Sequence, residues 1–153
     1  MRSKLSTDRK AIDKIIAKCD VCYVGMVDPE GKPYVLPFNF GYDGTHIFLH
    51  SALDGKKIDI LKLNNNVCIV FSTGHKLFHR NEGVACSYGM DFRSVVAFGE
   101  VHFVKDYDKK IEVLNKVMEK YTDKTFTYNS PAVNNVEAFI VEIESITAKE
   151  SGY

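Results

Sequence analysis

The stretch VCYVGMVDPEGKPYVLPFNFGYDGTHIFLHS, residues 21–51, decides the fold of this 153-residue chain. It divides into three runs of strand-forming residues separated by two turn signals, Pro29-Glu30-Gly31 and Asp43-Gly44, a pattern that predicts an antiparallel meander. In the middle run Tyr34, Leu36, Phe38, Phe40 and Tyr42 alternate with Val35, Pro37, Asn39 and Gly41. Successive strand side chains point to opposite faces, so one face is wide and aromatic while the other is small or polar. The first face suits a core. The second suits either a flat ligand or plain solvent. Pro37 has no N–H to give to a ladder, so it belongs at an edge or beside a break in pairing.

Working outward, the third run ends in His50-Ser51-Ala52-Leu53-Asp54-Gly55-Lys56-Lys57, where a strand stops and a basic helix start follows. A phosphate ester is a compact dianion that needs hydroxyls, fixed positive charge and free backbone amides at one point. Ser51, Lys56, Lys57 and the first helical turn supply all three, so the stretch reads as a phosphate cradle. It is not a Walker A loop, because His50 stands where that loop's first Gly belongs and Lys57 where Ser or Thr follows its Lys. The competing reading is that the two lysines only solvate a helix start. Cations there oppose the helix dipole, however, unless an anion lies between them and the amides.

Before the meander, DRKAIDKIIAKCD sets Ile12, Ile15 and Ile16 on one stripe of a short helix. After it, a helix over 55–63 with Ile58 and Leu61 on one side ends at Asn64-Asn65-Asn66. The strand VCIVFST comes next, and then a polar loop, GHKLFHRNEG. VACSYG and FRSVVAFGEVHFV read as two strand segments with an irregular joint. A second amphipathic helix spans about Tyr107 to Tyr121 with Ile111, Leu114, Val117 and Met118 inward, and VEAFIVEIESITAKE is a last strand. Six or more mainly antiparallel strands with three scattered helices do not make a doubly wound sheet. The expected fold is mainly β (α+β), a single domain over 1–153 forming a closed or split antiparallel barrel with flanking helices, which can hold one small ligand at a mouth or seam.

Composition narrows the partners. Twenty basic and twenty acidic side chains cancel, which favours a small molecule or another protein over nucleic acid or a membrane surface. No apolar run is long enough to span a membrane and the N-terminus lacks a signal-like apolar core, so a cytoplasmic location is expected. Cys19, Cys22, Cys68 and Cys86 do not form a disulfide framework. The C-x-x-C of Cys19 and Cys22 has no second ligand pair and reads as buried apolar packing.

The series GKPYVLPFNFGYDG, HIFLHSALDGKKIDIL, FRSVVAFGEV and IESITAKES, in that order between about Asp20 and Ser151, resembles the flavin-binding split-barrel superfamily of pyridoxamine 5'-phosphate oxidase. Within it, the likeness is to the nitroimidazole-resistance branch. The resemblance implies FMN, with FAD as an alternative, its ring along Pro37, Phe38, Asn39 and Phe40 and its phosphate on Ser51, Lys56 and Lys57. His50 falls beside the phosphate site and Ser94 of the Arg93-Ser94-Val95 triplet within reach of the ring or ribityl chain. It also implies a homodimer with flavin at the subunit interface. The chain has no Trp and lacks the family's substrate-gripping C-terminal motif, so vitamin B6 oxidation is not expected. What remains is an FMN-dependent oxidoreductase that takes electrons from NAD(P)H or another donor to a small aromatic acceptor such as a 5-nitroimidazole. His50 is its candidate proton donor, since histidine titrates near neutrality. The alternatives are a flavin carrier without catalysis and a haem-binding barrel, for which the five histidines offer ligands but no placing motif.

Overall fold

The computed structural model describes residues 3–153. Its elements in chain order are β1 (Ser3–Ser6), α1 (Arg9–Ala17), β2 (Cys22–Val27), β3 (Pro33–Phe38), β4 (Gly41–Tyr42), β5 (His46–Ala52), α2 (Lys56–Leu63), β6 (Asn66–His79), β7 (Tyr88–Val104), α3 (Tyr107–Tyr121), α4 (Ser130–Asn134) and β8 (Val136–Ser151). The eight strands form one antiparallel sheet in the order β3-β2-β6-β7-β8-β5-β4, with β1 on β8. This is the split-barrel fold with flanking helices.

The 21–51 stretch differs from a simple meander in one respect. β3 pairs with β2 and β4 pairs with β5, so the middle run breaks at Asn39-Phe40 and its halves lie at opposite ends of the sheet order. The run therefore bridges the two edges of the sheet. The alternation of faces survives the break: Phe38 and Phe40 are buried while Val35, Pro37 and Asn39 are exposed. Pro37 sits in the edge strand of the order, where its missing N–H costs no ladder bond. At the break the Phe40 N–H donates to the Tyr121 hydroxyl at 3.1 Å. A Cβ on Gly41 would overlap the Lys116 carbonyl of α3, so glycine is what lets that helix lie against the bridge.

Both turns form on the expected residues. The Asp28 carboxylate accepts from the Glu30 and Lys32 amides with Gly31 at φ 80°, and that of Asp43 from Thr45 and His46 with Gly44 at φ 95°. α1 is capped by Asp8 and buries Ile12, Ile15 and Ile16, each contributing about 1.5–3 kcal/mol by removal from water. On α3 the buried side chains are Lys110, Val113, Leu114 and Val117, so Ile111 and Met118 sit on the flanks of the stripe. Lys110 is accommodated by donating from Nζ to the Val136 carbonyl at 2.8 Å. Cys19 and Cys22 are buried free thiols, and burial pushes the Cys22 thiol up to about 12.

The polar run 74–83 is not simply a loop. β6 continues to His79 and pairs with the start of β7, Lys76 opposite Asp91 and His79 opposite Tyr88. β7 is one strand of 17 residues rather than two segments. The sequence reading did not anticipate β1 or the short α4, although Asn129 ahead of Ser130-Pro131 is a helix-start signal. Two clusters fill the interior. One lies inside the barrel around Phe40, Phe71, Ile69 and Phe139, with Phe40 and Phe71 edge to face at 4.9 Å. The other, Phe48, Val104, Val113, Val117 and Ala138, seals α3 onto the outside of β5, β7 and β8.

Candidate functional site

The first half of the site is the junction of β5 and α2. Gly55 begins the helix at φ 121° and ψ 170° with no side-chain cap. Asp8, Asp106 and Asn129 each cap their own helix with a side-chain oxygen. The Lys57 ammonium lies 3.9 Å from where a Gly55 Cβ would stand, and the Lys56 ammonium lies over the Tyr34 ring at 4.7 Å. Neither lysine forms an ion pair with a described residue. The Ser51 hydroxyl donates to the Ala52 carbonyl at 2.9 Å, and a rotation about its Cβ–Oγ bond would free that proton for an anion. Uncompensated amides, two cations and a hydroxyl therefore gather where the strand meets the helix, an arrangement that attracts a phosphate.

His50 and Ser51 are adjacent in β5 and point to opposite faces. Ser51 shares the side of Ile47 and Leu49, which are in the barrel core, and His50 the side of Phe48, under α3. Burial holds the His50 imidazole below its usual range. Its Nδ1 is the one buried side-chain nitrogen or oxygen among the described residues without a hydrogen-bond partner. The structure thus brings Ser51, Lys56 and Lys57 to the same junction but turns His50 away from Ser51.

The second half is the outward face of β3, β2, β6 and β7. Ladder registers align Val35, Gly25, Cys68 and Phe98 in one row and Pro37, Tyr23, Val70 and Val96 in the next. Ser72, Ser94 and Lys149 follow in a third. Val35 is 58% exposed and Phe98 51%, and an apolar groove of about 310 Å³ runs beside them past Gly25, Val27 and Pro33. Pro37 and Ser94 share this face. Phe38 and Phe40 turn their rings into the core, so they can meet a ligand only through backbone, whereas Asn39 is exposed. Tyr34, under Lys56, is three residues along β3 from Pro37, about 10 Å at the rise of an extended strand, and faces the opposite side, so the cradle adjoins the ring strand across the sheet edge that β3 forms.

Reading the sequence missed Tyr34 as the platform for Lys56, although its place on the aromatic face was visible. It also missed Ser72 and His75, whose Oγ and Nε2 lie 2.7 Å apart at a β-bulge between Thr73 and Lys76. Gly74, between them, was the signal that could have marked it. Arg93 is engaged elsewhere, by the Glu150 carboxylate at 3.0 Å and the Tyr153 ring at 3.5 Å. No group of three or more metal-ligating side chains occurs among the described residues, and none of the helices there is long and apolar enough to cross a membrane.

Comparison with known proteins agrees with this architecture. The chain is similar to a candidate 5-nitroimidazole antibiotic resistance protein from Bacteroides thetaiotaomicron, at 42% identity over 96% of this chain and 86% of that one, with a TM-score of 0.86. The fold is shared with the FAD and heme binding protein of Mycobacterium smegmatis, at 18% identity, 98% and 74% coverage and a TM-score of 0.85. It is shared too with the flavocytochrome Anf3 of Azotobacter vinelandii, at 19% identity, 95% and 68% coverage and a TM-score of 0.82. No curated protein matches the chain. The family model described as pyridoxamine 5'-phosphate oxidase matches residues 8–150. Nearly the whole of this chain thus belongs to the pyridoxamine 5'-phosphate oxidase family, with its likeness to the nitroimidazole-resistance type running the length of the barrel.

Proposed function

We propose that the protein is an FMN-dependent oxidoreductase that passes electrons from NAD(P)H or another donor to a small aromatic acceptor, a 5-nitroimidazole among the candidates. The observation that carries this reading is the uncapped start of α2, with Lys57 beside Gly55 and Ser51 at the strand end. Its donor set fits a phosphate monoester. Lys56, Lys57, the first-turn amides and Ser51 hold the phosphate. Pro37 and Asn39 present a surface free of competing ladder donors to the ring, and Ser94 offers a hydroxyl to its polar edge or to the ribityl chain. When bound, the flavin supplies hydride transfer and two-electron storage, and the protein supplies position, shielding and hydrogen bonds. FAD carries a phosphate at the same place and is the alternative cofactor. His50, neutral by burial, is suited to accept a hydrogen bond close to the site rather than to hold a standing charge.

The working form in this reading is a homodimer. Val35, Tyr23, Val27 and Phe98 expose more apolar surface together than a solvated sheet face needs, and a second copy would cover it while walling the flavin. Three measurements test the reading in turn. Titration with FMN should quench flavin fluorescence saturably, gel filtration of the loaded protein should give about twice the chain mass of 17.3 kDa, and anaerobic NADH or NADPH should bleach the bound flavin. Saturable binding without bleaching by either nucleotide, followed by no turnover with dithionite and a 5-nitroimidazole, would make the protein a flavin carrier. Failure to bind any flavin, with a Soret band on haem addition, would make it a haem protein.

A further inference from the structure

We propose that Ser72 and His75 form the proton-delivery pair of this site, with Ser72 giving the proton to the acceptor and His75 replacing it from behind. The inference rests on the flavin reading above and names the residues that complete its chemistry. In a regular strand, residues 72 and 75 would face opposite sides, because an odd offset reverses the direction. They face the same side here because the ladder steps from Thr73–Arg93 to Lys76–Asp91, three residues on β6 against two on β7. The extra residue is a β-bulge, the device that re-aims a side chain beside a site.

The bulge is held in place from two directions. Gly74 has φ 69°, a left-handed conformation that favours glycine, and its carbonyl accepts from the Tyr153 hydroxyl at 2.6 Å. Tyr153 is itself fixed under the Arg93 guanidinium. The outcome is the 2.7 Å contact between Ser72 Oγ and His75 Nε2, on the row that continues to Ser94 and Lys149 and one step along β6 from the row of Pro37 and Val70. The charged and titratable groups around His75 are Lys76 on its own strand, Asp91 and Arg93 on β7, Lys149 and Glu150 on β8, and the Tyr153 phenol. Arg93 and Glu150 are paired with each other, and His75 is in none of the ion pairs among the described residues. It is exposed, so solvent can recharge it.

The reaction needs one proton beside the hydride, and this pair is placed to supply it. A nitro group taken to nitroso consumes one hydride and one proton and releases one water. The two electrons arrive with the hydride, drawn in turn from NAD(P)H. The proton leaves Ser72 Oγ as the Nε2 proton of imidazolium passes to that oxygen, and the neutral imidazole then takes a proton from water. His50 cannot fill this place from under α3, whereas the bulge puts an open imidazole on the ligand face.

The experiment uses FMN-loaded full-length protein, Ser72→Ala, His75→Gln and His75→Ala, with NADPH as reductant and dimetridazole as the 5-nitroimidazole probe. FMN affinity and the rate of flavin reduction should stay within about twofold of wild type. Reoxidation of reduced flavin by the probe should slow by about a hundredfold, the usual reach of general acid catalysis. The wild-type reoxidation rate should fall as pH rises, and His75→Gln, which keeps a hydrogen-bonding partner for Ser72 but cannot carry the proton, should lack that dependence. Independently of turnover, the imidazole nitrogen NMR signals of His75 should move in Ser72→Ala, which removes the partner of Nε2. Reoxidation of His75→Gln at the wild-type rate with the wild-type pH profile would overturn the proposal while leaving the flavin reading intact. Absence of FMN binding to wild type would overturn both.

Discussion

α2 and α3 each begin a few residues after a barrel strand ends, and they treat their first turns in opposite ways. α3 starts at Asp106, whose carboxylate accepts from the Lys109 amide at 3.1 Å, and places Asp108 in the same turn. α2 also has an acid in its first turn, Asp59, but starts at Gly55 with no side-chain cap and sets Lys56 and Lys57 ahead of that acid, against its own dipole. A first turn of a helix leaves amides that something must satisfy. α3 satisfies one from within and complements its dipole with acid, which suits a helix whose work is to seal a face. α2 leaves the task to something outside the chain. The strands that lead in differ likewise, since Lys105 before α3 holds buried Glu137 at 2.7 Å, whereas the His50 Nδ1 before α2 has no partner.

The largest effect expected from breaking this contrast is on ligand binding. A charge-assisted contact is worth roughly 1.5–3 kcal/mol, so Lys57→Ala should weaken FMN about ten- to a hundredfold while riboflavin, lacking the phosphate, changes little. Parallel fluorescence titrations of both ligands check it, and equal losses would point to general damage instead of a cradle. Next in size is Gly55→Ala. Forcing a Cβ into φ 121° costs about 1–3 kcal/mol, which thermal unfolding of the ligand-free protein should register as a lower Tm. The matching change at the other helix, Asp106→Ala, should cost about 1 kcal/mol, and Asp106→Gly only a few tenths, with FMN affinity unchanged in both. An affinity loss there would mean that the two helix starts are coupled rather than independent.

The smallest effect concerns His50. Burial lowers its pKa in the folded state, so in acid the unfolded chain takes up the proton more readily and folding stability falls as pH drops below the ordinary value of 6.5. Tm measured between pH 7.5 and 5 should decline in wild type, and part of the decline should vanish in His50→Gln. An identical decline in both proteins would assign the acid sensitivity to other groups.

How much of this was legible beforehand depended on the range of each signal. The stripes of α1 and α3 and the turns at Gly31 and Gly44 are local, and the sequence carries them openly. The alternation from Tyr34 to Tyr42 also declared its two faces, but not that its halves pair with different neighbours, because periodicity records facing and not partnership. The arm beyond Thr73 hid for another reason: its alternation is mostly polar, since neither side meets the core. At the site, Ser51, Lys56 and Lys57 were readable as charge at a helix start. The direction of His50 followed from the strand parity yet needed α3 to give it meaning, and the switch of His75 onto the face of Ser72 depends on a bulge whose trace in the sequence is one glycine.

The pairing of β1 with the end of β8, Ser3 opposite Ser151 and Ser6 opposite Ala148, has a consequence for the order of events in folding. Almost the entire chain must be threaded into place before these two segments can meet, so the contact carries the largest loop-closure entropy in the molecule. Contact order predicts that it forms late, and it rests on four residues with Leu5 70% exposed. On heating, or in amide exchange, this ladder should part first and alone. The fraying edge it uncovers is the flank of β8 at Ala148 to Ser151, whose other flank holds Arg93 and Ser94. The seam predicted to close last therefore runs along the strand whose other flank carries Ser94, one of the row of hydroxyls, so that row should be among the last parts of the sheet to gain exchange protection.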